Sequence, residues 1–269
     1  MNYKKMSLII PTIPLDFNRM INNYKFYKKY IIGISDLVFI GNEELEKLLK
    51  VNKYIVEMPV TFINEKTLID VDKIKKLIEN RNKNATQRSG WYIQQFLKMN
   101  YCQICKEKYY LIWDSDTIPI KKVKMFSNDG TPYFNVKTEF HPPYFTTMKK
   151  LIPELSKKNN YSFISEHMLI NTKIMKNLIK RIENNVNITG KNWFEKIINS
   201  IDVEYILDSG FSEYETYGTF VNEFYKNSYK IRSWKSLRNG KNFYNPKLFT
   251  YQKAKICSRN YDAISFENY

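Results

Sequence analysis

The stretch Tyr109–Ile120, YYLIWDSDTIPI, decides how the chain folds. A run of large apolar and aromatic residues reaches Trp113 and gives way to two carboxylates one residue apart, then to Pro119. Burying an unpaired carboxylate costs on the order of several kcal/mol, so a segment that only filled a core would not end in Asp114 and Asp116. The pattern calls for a positive partner. In an extended segment residues two apart project to the same side, so Asp114 and Asp116 can reach one ion together while Ser115 faces away. Carboxylate oxygens are hard ligands that suit Mn²⁺ or Mg²⁺, and a cation held by one or two of them completes its shell with phosphate oxygens. Such a site would hold a nucleotide diphosphate. The bland alternative is that the pair caps a strand and binds nothing.

Working outward, Ser7–Ile10 before Pro11 and Asp36–Ile40 before Gly41 are short apolar runs that predict buried parallel strands. NEELEKLLK after Gly41 has an acidic start and a basic end, which suits a helix. Tyr54–Met58 predicts a third strand and Val71–Asn80 a helix, with Ile74, Leu77 and Ile78 on one face. Trp91, Phe96, Leu97 and Tyr101 recur at helical spacing from about Gly90 to Cys105, and this helix feeds the Tyr109–Trp113 strand. Alternating helices and apolar strands predict an α/β fold, a mostly parallel Rossmann-like sheet flanked by helices, with a ligand crevice at the carboxyl ends of its strands. Further on, the turn 129–132 precedes a strand in YFNVKTEF, the two prolines of HPPYF forbid regular structure, and Pro119 turns the chain away. Helices are predicted at 144–157, 171–184, 192–201 and 212–225. The expected organisation is one domain over 1–225, whose pattern loosens near 125, with a basic aromatic extension over 226–269.

The chain has 269 residues, 43% of them hydrophobic, enough for a full core. No apolar run approaches the roughly 20 residues that cross a bilayer. Pro11 and Pro14 interrupt the first apolar stretch, no small-residue cleavage site follows, and a cytoplasmic location is the expectation. Cys102, Cys105 and Cys257 suit reduced thiols. The C-x-x-C pair would need further zinc ligands, with only His141, His167 and Cys257 left, so two packing thiols is the preferred reading. The net charge of +16 attracts anionic partners: nucleic acid, lipid headgroups or phosphorylated substrates.

LIWDSDTIPI resembles the DxD segment of GT-A fold glycosyltransferases, which use nucleotide-sugar donors. SLIIPTIP (7–14) resembles their first strand, RSGWYIQQFLKM (88–99) the helix before the DxD strand, and SFISEHMLINTKIM (162–175) the segment lining the acceptor side. The combination is similar to an uncharacterised family of bacterial DxD glycosyltransferases of surface-polysaccharide or lipopolysaccharide biosynthesis, over most of the chain to about Arg238. The resemblance implies a nucleotide-diphosphate sugar as donor, a UDP-sugar first among them, and Mn²⁺ or Mg²⁺ held by Asp116 with Asp114. It makes 1–225 a catalytic domain, with the nucleotide-sugar-binding part over about 1–125 and the acceptor-side part over about 126–225, and the acceptor it implies is a hydroxyl of a glycan or lipid-linked saccharide.

Inverting transfer needs a carboxylate to take the acceptor's proton. GFSEYETYGTF (210–220) resembles the acidic helix start of inverting GT-A enzymes, with Glu213 matching the catalytic aspartate, a departure in residue type. Ser212 and Glu215 also fit a capping box, which accounts for Glu215 more easily than for Glu213. Glu166 is the alternative base, and Glu166 or His167 an acceptor ligand, although a lone histidine beside an apolar run is more often structural. His141 is a weaker candidate, in a rigid loop before two prolines, and no histidine follows His167 to serve as a third metal ligand. By the same resemblance Arg88, Gln95 and Lys98 reach the nucleotide phosphates, Trp91 or Tyr92 stacks the base, and Thr12 meets the nucleobase or ribose. Their ordinary alternative is an amphipathic helix with solvated polar residues.

Two rivals differ in class. A DxD phosphatase or phosphotransferase of the haloacid-dehalogenase type wants Thr or Val four residues after the first aspartate and lies near the start of its domain, whereas here that position is Ile118 and more than a hundred residues precede it. A basic nucleic-acid-binding protein would interleave cations with aromatics, but no such motif is present and the DxD would be unexplained. An anionic membrane surface is compatible with the enzyme. The stretch 231–249, IRSWKSLRNGKNFYNPKLF, carries cations, Trp234 and two phenylalanines, which suits peripheral docking on the inner leaflet. Oligomeric state leaves no mark in the sequence.

Overall fold

The computed structural model describes residues 5–52 and 54–267, so the basic first four residues and the last two of the expected extension lie outside the described residues. Met6–Pro11 is the middle strand of a five-stranded sheet. On one side it pairs in parallel with Ile34–Gly41, which pairs with Val60–Asn64; on the other it pairs in parallel with Tyr109–Trp113. His167–Asn171 closes that edge antiparallel to Tyr109–Trp113. The chain builds outward from Met6–Pro11 to one edge and then crosses to its other side at Tyr109. That reversal leaves a crevice between the carboxyl ends of two adjacent strands, where Thr12 and Asp114 sit.

Period-two alternation along each strand feeds two cores. Ile9, Val38, Ile40, Tyr110, Ile112, Met168 and Ile170 point to one face, covered by the helices Val71–Arg81, Ser89–Asn100, Thr172–Glu183, Trp193–Ser200 and Glu213–Phe224. Leu8, Ile10, Leu37, Phe39, Leu111 and Trp113 point to the other. That second face is covered by the helices Pro14–Met20, Lys25–Tyr30 and Glu43–Val51, and by Trp234, Phe249, Ala254, Ile264 and Phe266 from the last part of the chain. The expected α/β fold, a mostly parallel sheet with helices on both faces, is the observed one. Among the described residues no helix is long and apolar enough to cross a membrane.

Local departures have identifiable causes. The third parallel strand is Val60–Asn64, and Tyr54–Met58 is a series of bends. After the Glu43–Val51 helix the chain must first return to the level of Leu37, whose N–H donates to Pro59 O at 2.9 Å before strand pairing starts. Pro142 and Pro143 begin the helix Pro142–Leu151 instead of forbidding one, because the first turn of a helix has no intrahelical acceptor for their absent N–H groups. Thr117–Pro119 continues as a strand antiparallel to Ala263–Ser265, so Pro119 does not turn the chain away. Lys230–Ser233 runs parallel to Tyr133–Val136. Residues 230–267 are thus hydrogen-bonded to strands from the middle of the chain.

Candidate active site

The Tyr109–Trp113 strand, which lies beside the middle strand, ends at Trp113, and the next residues form a turn, not an extended segment. Asp114 N–H donates to Glu166 O at 2.9 Å, and Thr117 N–H closes back on Asp114 O at 3.1 Å. In a turn the strict alternation of a strand is lost, so Ser115 does not face away: Asp114, Ser115 and Asp116 all line one cleft of about 440 Å³. A second cavity of about 430 Å³, containing Thr12, shares Asp16, Trp91, Gln94 and Ser115 with it. The two are therefore lobes of one depression over the strand ends.

The cleft is acidic in a basic chain. Seven carboxylates line it (Asp16, Asp114, Asp116, Glu139, Glu166, Glu213, Glu267) against the four cations Arg88, Lys98, Lys137 and Arg238. Lys98 Nζ lies 2.6 Å from Asp114 Oδ1 and 2.8 Å from Glu213 Oε1, with its ammonium 4.5 Å from the Tyr214 ring centre. Burial by itself would depress the lysine, but the two carboxylates outweigh it and hold the ammonium above its ordinary pKa. Glu213 goes up from the usual carboxylate value, because burial outweighs the attraction of Lys98. Tyr214 donates its hydroxyl to Asp114 Oδ1 at 3.0 Å, and Gln95 Oε1 accepts the Glu213 N–H at 2.9 Å. Gln95 Nε2 has no partner among the described residues. Asp116 is pushed up to about 7, first by burial and then by Asp114 and Glu267, while Thr117 Oγ1 donates to its Oδ1 at 3.1 Å.

The structure separates the other sequence-predicted residues into those on the cleft and those behind it. Glu166 is on it, its carboxylate fixed by Lys137, by Ser236 Oγ at 2.6 Å and by Trp234 Nε1 at 2.9 Å. Burial opposes ionisation there, yet Lys137 and the hydrogen bonds hold Glu166 below the usual carboxylate value. Arg88 and Trp91 also line the cleft, the guanidinium 4.7 Å from the indole and donating to Asp208 O at 2.8 Å and Ser209 Oγ at 2.9 Å. His167 lies behind: its ring stacks on Trp113 at 4.2 Å and meets Trp234 edge-on at 4.4 Å. Asn135 Nδ2 bonds its Nε2, and burial pushes the imidazole well below its ordinary pKa. Glu215 is buried, accepting Ser162 Oγ at 2.6 Å and Phe163 N–H at 2.9 Å, while its own N–H donates to the Ser212 cap at 3.2 Å. Tyr92 OH donates to Ile206 O at 3.2 Å, and His141 Nε2 is 2.7 Å from Ser209 O. The three cysteines are free thiols.

Tyr214, Lys137, Arg238 and Glu267 were not picked out by sequence reasoning. Tyr214 had a signal, adjacency to Glu213, whereas Glu267 carries none, since only folding brings it beside the Asp116 turn. Phe266 N–H donates to Asp116 O at 2.8 Å, and Arg238 Nε holds Glu267 at 2.9 Å. Among the described residues no group of three or more His, Cys, Asp and Glu stands in metal-binding geometry. A divalent cation nevertheless fits the donors: one oxygen each of Asp114 and Asp116 has a hydrogen-bond partner, and the second oxygen of each has none among the described residues. Two carboxylates are enough for a cation that completes its shell with ligand and water oxygens.

No match to the chain is found among curated proteins. Among solved structures the chain is similar to mouse xyloside xylosyltransferase 1 in its apo form, with 12% identity, 97% of each chain covered and a TM-score of 0.47. It is also similar to the apo-form glycosyltransferase GlyE of Streptococcus pneumoniae TIGR4, with 12% identity and a TM-score of 0.43, covering 98% of this chain and 55% of that one. A further structure of GlyE matches with 12% identity, the same coverage and a TM-score of 0.40. Likenesses this distant carry no argument about activity. A family model described as "Family of unknown function (DUF6492)" matches residues 16–237, most of the sequence, and the chain belongs to that family.

Proposed function

We propose that the protein is a glycosyltransferase that moves a sugar from a nucleotide-diphosphate donor to a hydroxyl of a glycan or lipid-linked saccharide, with inversion, in the making of a surface polysaccharide. The observation that carries this reading is the meeting, at one cleft over the strand ends, of the Asp114–Asp116 turn with the Lys98–Glu213 ion pair. Lys98 links Asp114 to Glu213, a buried carboxylate with a raised pKa, while Asp114 and Asp116 each keep one oxygen without a partner among the described residues.

In this reading the nucleoside lies in the lobe beside Thr12 and Trp91, and the diphosphate crosses toward Asp114 and Asp116. Mn²⁺ or Mg²⁺ bound there by these two carboxylates would supply neutralising charge to the leaving diphosphate. Gln95 Nε2, unpartnered and on the cleft, donates to a diphosphate oxygen, and Arg88 adds positive charge at the cleft rim. Glu213 takes the proton from the attacking acceptor hydroxyl as the sugar–oxygen bond to the diphosphate breaks. Its raised pKa suits that exchange, because a carboxylate of the ordinary value is a poorer base. Lys98 keeps Glu213 ionised beforehand and stabilises the cleft's charge throughout. Glu166, fixed by Lys137 and Trp234, orients an acceptor hydroxyl.

The test is nucleotide release from UDP-, GDP-, CDP- and CMP-sugars, with and without Mn²⁺, for the wild-type chain and for Asp116→Ala. Release from one nucleotide class that needs a divalent cation and is lost in the folded variant supports the reading. Absence of binding and turnover with every donor and every divalent cation refutes it.

A further inference from the structure

Of the described cations after Tyr225, Arg238 alone lines the cleft. Between Asn239 and Tyr261 the sequence holds five cations and no acidic residue. This stretch is an excursion from the cleft rim: it leaves at Arg238 and returns at Glu267, and these two residues are ion-paired at 2.9 Å. Its inward side chains, Phe249, Ala254 and Cys257, are buried, whereas Phe243, Leu248 and Ile256 are 66%, 65% and 56% exposed.

The segments that carry these exposed apolar groups are tied to one another. Tyr244 OH accepts from Cys257 Sγ at 3.3 Å and so ties the Phe243 loop to the Tyr251–Cys257 helix. Lys253 Nζ reaches back to Leu248 O at 3.1 Å. The Lys25–Tyr30 helix extends the surface, since Phe26 packs on Tyr251 with ring centres 4.7 Å apart and Lys29 Nζ lies 3.5 Å from the centre of the Tyr251 ring. Asn22 and Asn23 hold the carbonyls of Lys247 and Pro246 at 3.1 and 2.8 Å. The acid at the margin, Glu57, is paired with Lys28 at 3.1 Å.

We propose that this surface docks the protein on an anionic lipid bilayer, with Phe243, Leu248 and Ile256 entering the interface and Lys247, Lys253 and Lys255 meeting the headgroups. The choice of bilayer over nucleic acid follows from the side chains. Leu248 and Ile256 offer no face for base stacking, and four of the five cations are lysines, which suit a diffuse charged surface better than bidentate phosphate or base contacts. Exposed apolar side chains interspersed with lysines are what an anionic leaflet attracts. Trp234 and Phe249, which the sequence offered for this role, are buried and take no part. The docking surface stands independently of the chemistry in the cleft.

Cosedimentation of the full-length protein with vesicles tests it, using phosphatidylcholine alone and phosphatidylcholine with about 30% phosphatidylglycerol, at low and high salt. Binding to the anionic vesicles only is expected. Lys247→Glu with Lys255→Glu should lower the partition coefficient at least about tenfold. Phe243→Ser with Leu248→Ser should leave low-salt binding measurable and remove the part that survives high salt. Both pairs alter exposed side chains, and their thermal transitions serve as the folding control. No binding to anionic vesicles, equal binding by the lysine variant, or displacement of the protein from vesicles by single-stranded RNA would overturn the assignment.

Discussion

The Lys98 ammonium lies 2.6 Å from Asp114 Oδ1 and is shared with Glu213, so one cation neutralises carboxylates from two elements far apart in the chain. Asp114 follows the Tyr109–Trp113 strand and Glu213 begins the Glu213–Phe224 helix. Tyr110 OH, donating to Lys98 O at 3.0 Å, ties the helix bearing the lysine to the same strand. The ion pair therefore fixes strand end and helix start together.

Removing the lysine charge should destabilise the fold more than removing a carboxylate. Lys98→Met leaves Glu213 buried with no counter-charge, a situation that costs about 3–5 kcal/mol. Adding Glu213→Gln to that variant relieves the unpaired charge and should recover more than about 1 kcal/mol. Urea unfolding of the four proteins in this double-mutant cycle gives the coupling directly. A coupling near zero would mean that the pair seen in the structure is not energetically formed.

Glu213→Gln is also the test of the base. The amide keeps the hydrogen-bonded shape but cannot take a proton, so transfer should fall about 10²- to 10⁴-fold while nucleotide-sugar binding, followed by calorimetry, is retained. Retained transfer would move the base to Glu166.

Much of this site was legible in the sequence, for reasons that also explain what was not. The runs Leu8–Ile10, Leu37–Ile40 and Tyr109–Trp113 are continuously apolar because both faces of the sheet are covered there, and Pro11 and Gly41 mark two of the strand ends. The strand His167–Asn171 leads directly into the Thr172–Glu183 helix, with Asn171 serving as strand end and helix cap at once, so no break announces it. Asp114 and Glu213 stand out by residue type and position. Glu267 does not, because its place beside Asp116 depends on pairing between Thr117–Pro119 and Ala263–Ser265, more than a hundred residues apart. The same holds for the aromatics after Tyr225, whose cations suggest a solvated surface while Trp234 and Phe266 fill a core.

His167 should make the fold acid-sensitive. Its ring is enclosed by Trp113 and Trp234, and the charges facing it are Arg232 and Lys137, with Glu166 next to it already bound to Lys137. Arg232 Nε donates to Asn135 Oδ1 at 2.9 Å, which leaves the amide N–H of Asn135 to donate to His167 Nε2; a protonated ring would set two donors against each other. The folded pKa is thus depressed below the unfolded value of about 6.5, and the unfolded state binds more protons below that pH. Stability from this residue is full above about pH 6.5 and is lost at up to about 1.4 kcal/mol per pH unit as the pH falls. His167→Gln retains an acceptor for Asn135 and cannot titrate. Its urea midpoint should fall less steeply with acid than that of the wild type, and parallel curves would show that another group governs acid unfolding.

Truncation after Arg238 should abolish folding, not merely remove a surface tail. It would take away Phe249, Ile264 and Phe266, all buried, and with them the partner strand of Thr117–Pro119. Burying each such side chain contributes about 1.5–3 kcal/mol. Losing three of them approaches the whole stability of a typical domain, about 5–15 kcal/mol. The same cut removes Glu267 from the Asp116 turn and the hydrogen bond from Phe266 N–H to Asp116 O. The shortened protein should therefore show no cooperative thermal transition and should expose the core around Trp113 to an apolar dye. A truncated protein that melts cooperatively within a few degrees of the full chain would mean that residues 239–267 contribute little to the second core, and that Asp116 keeps its place without them.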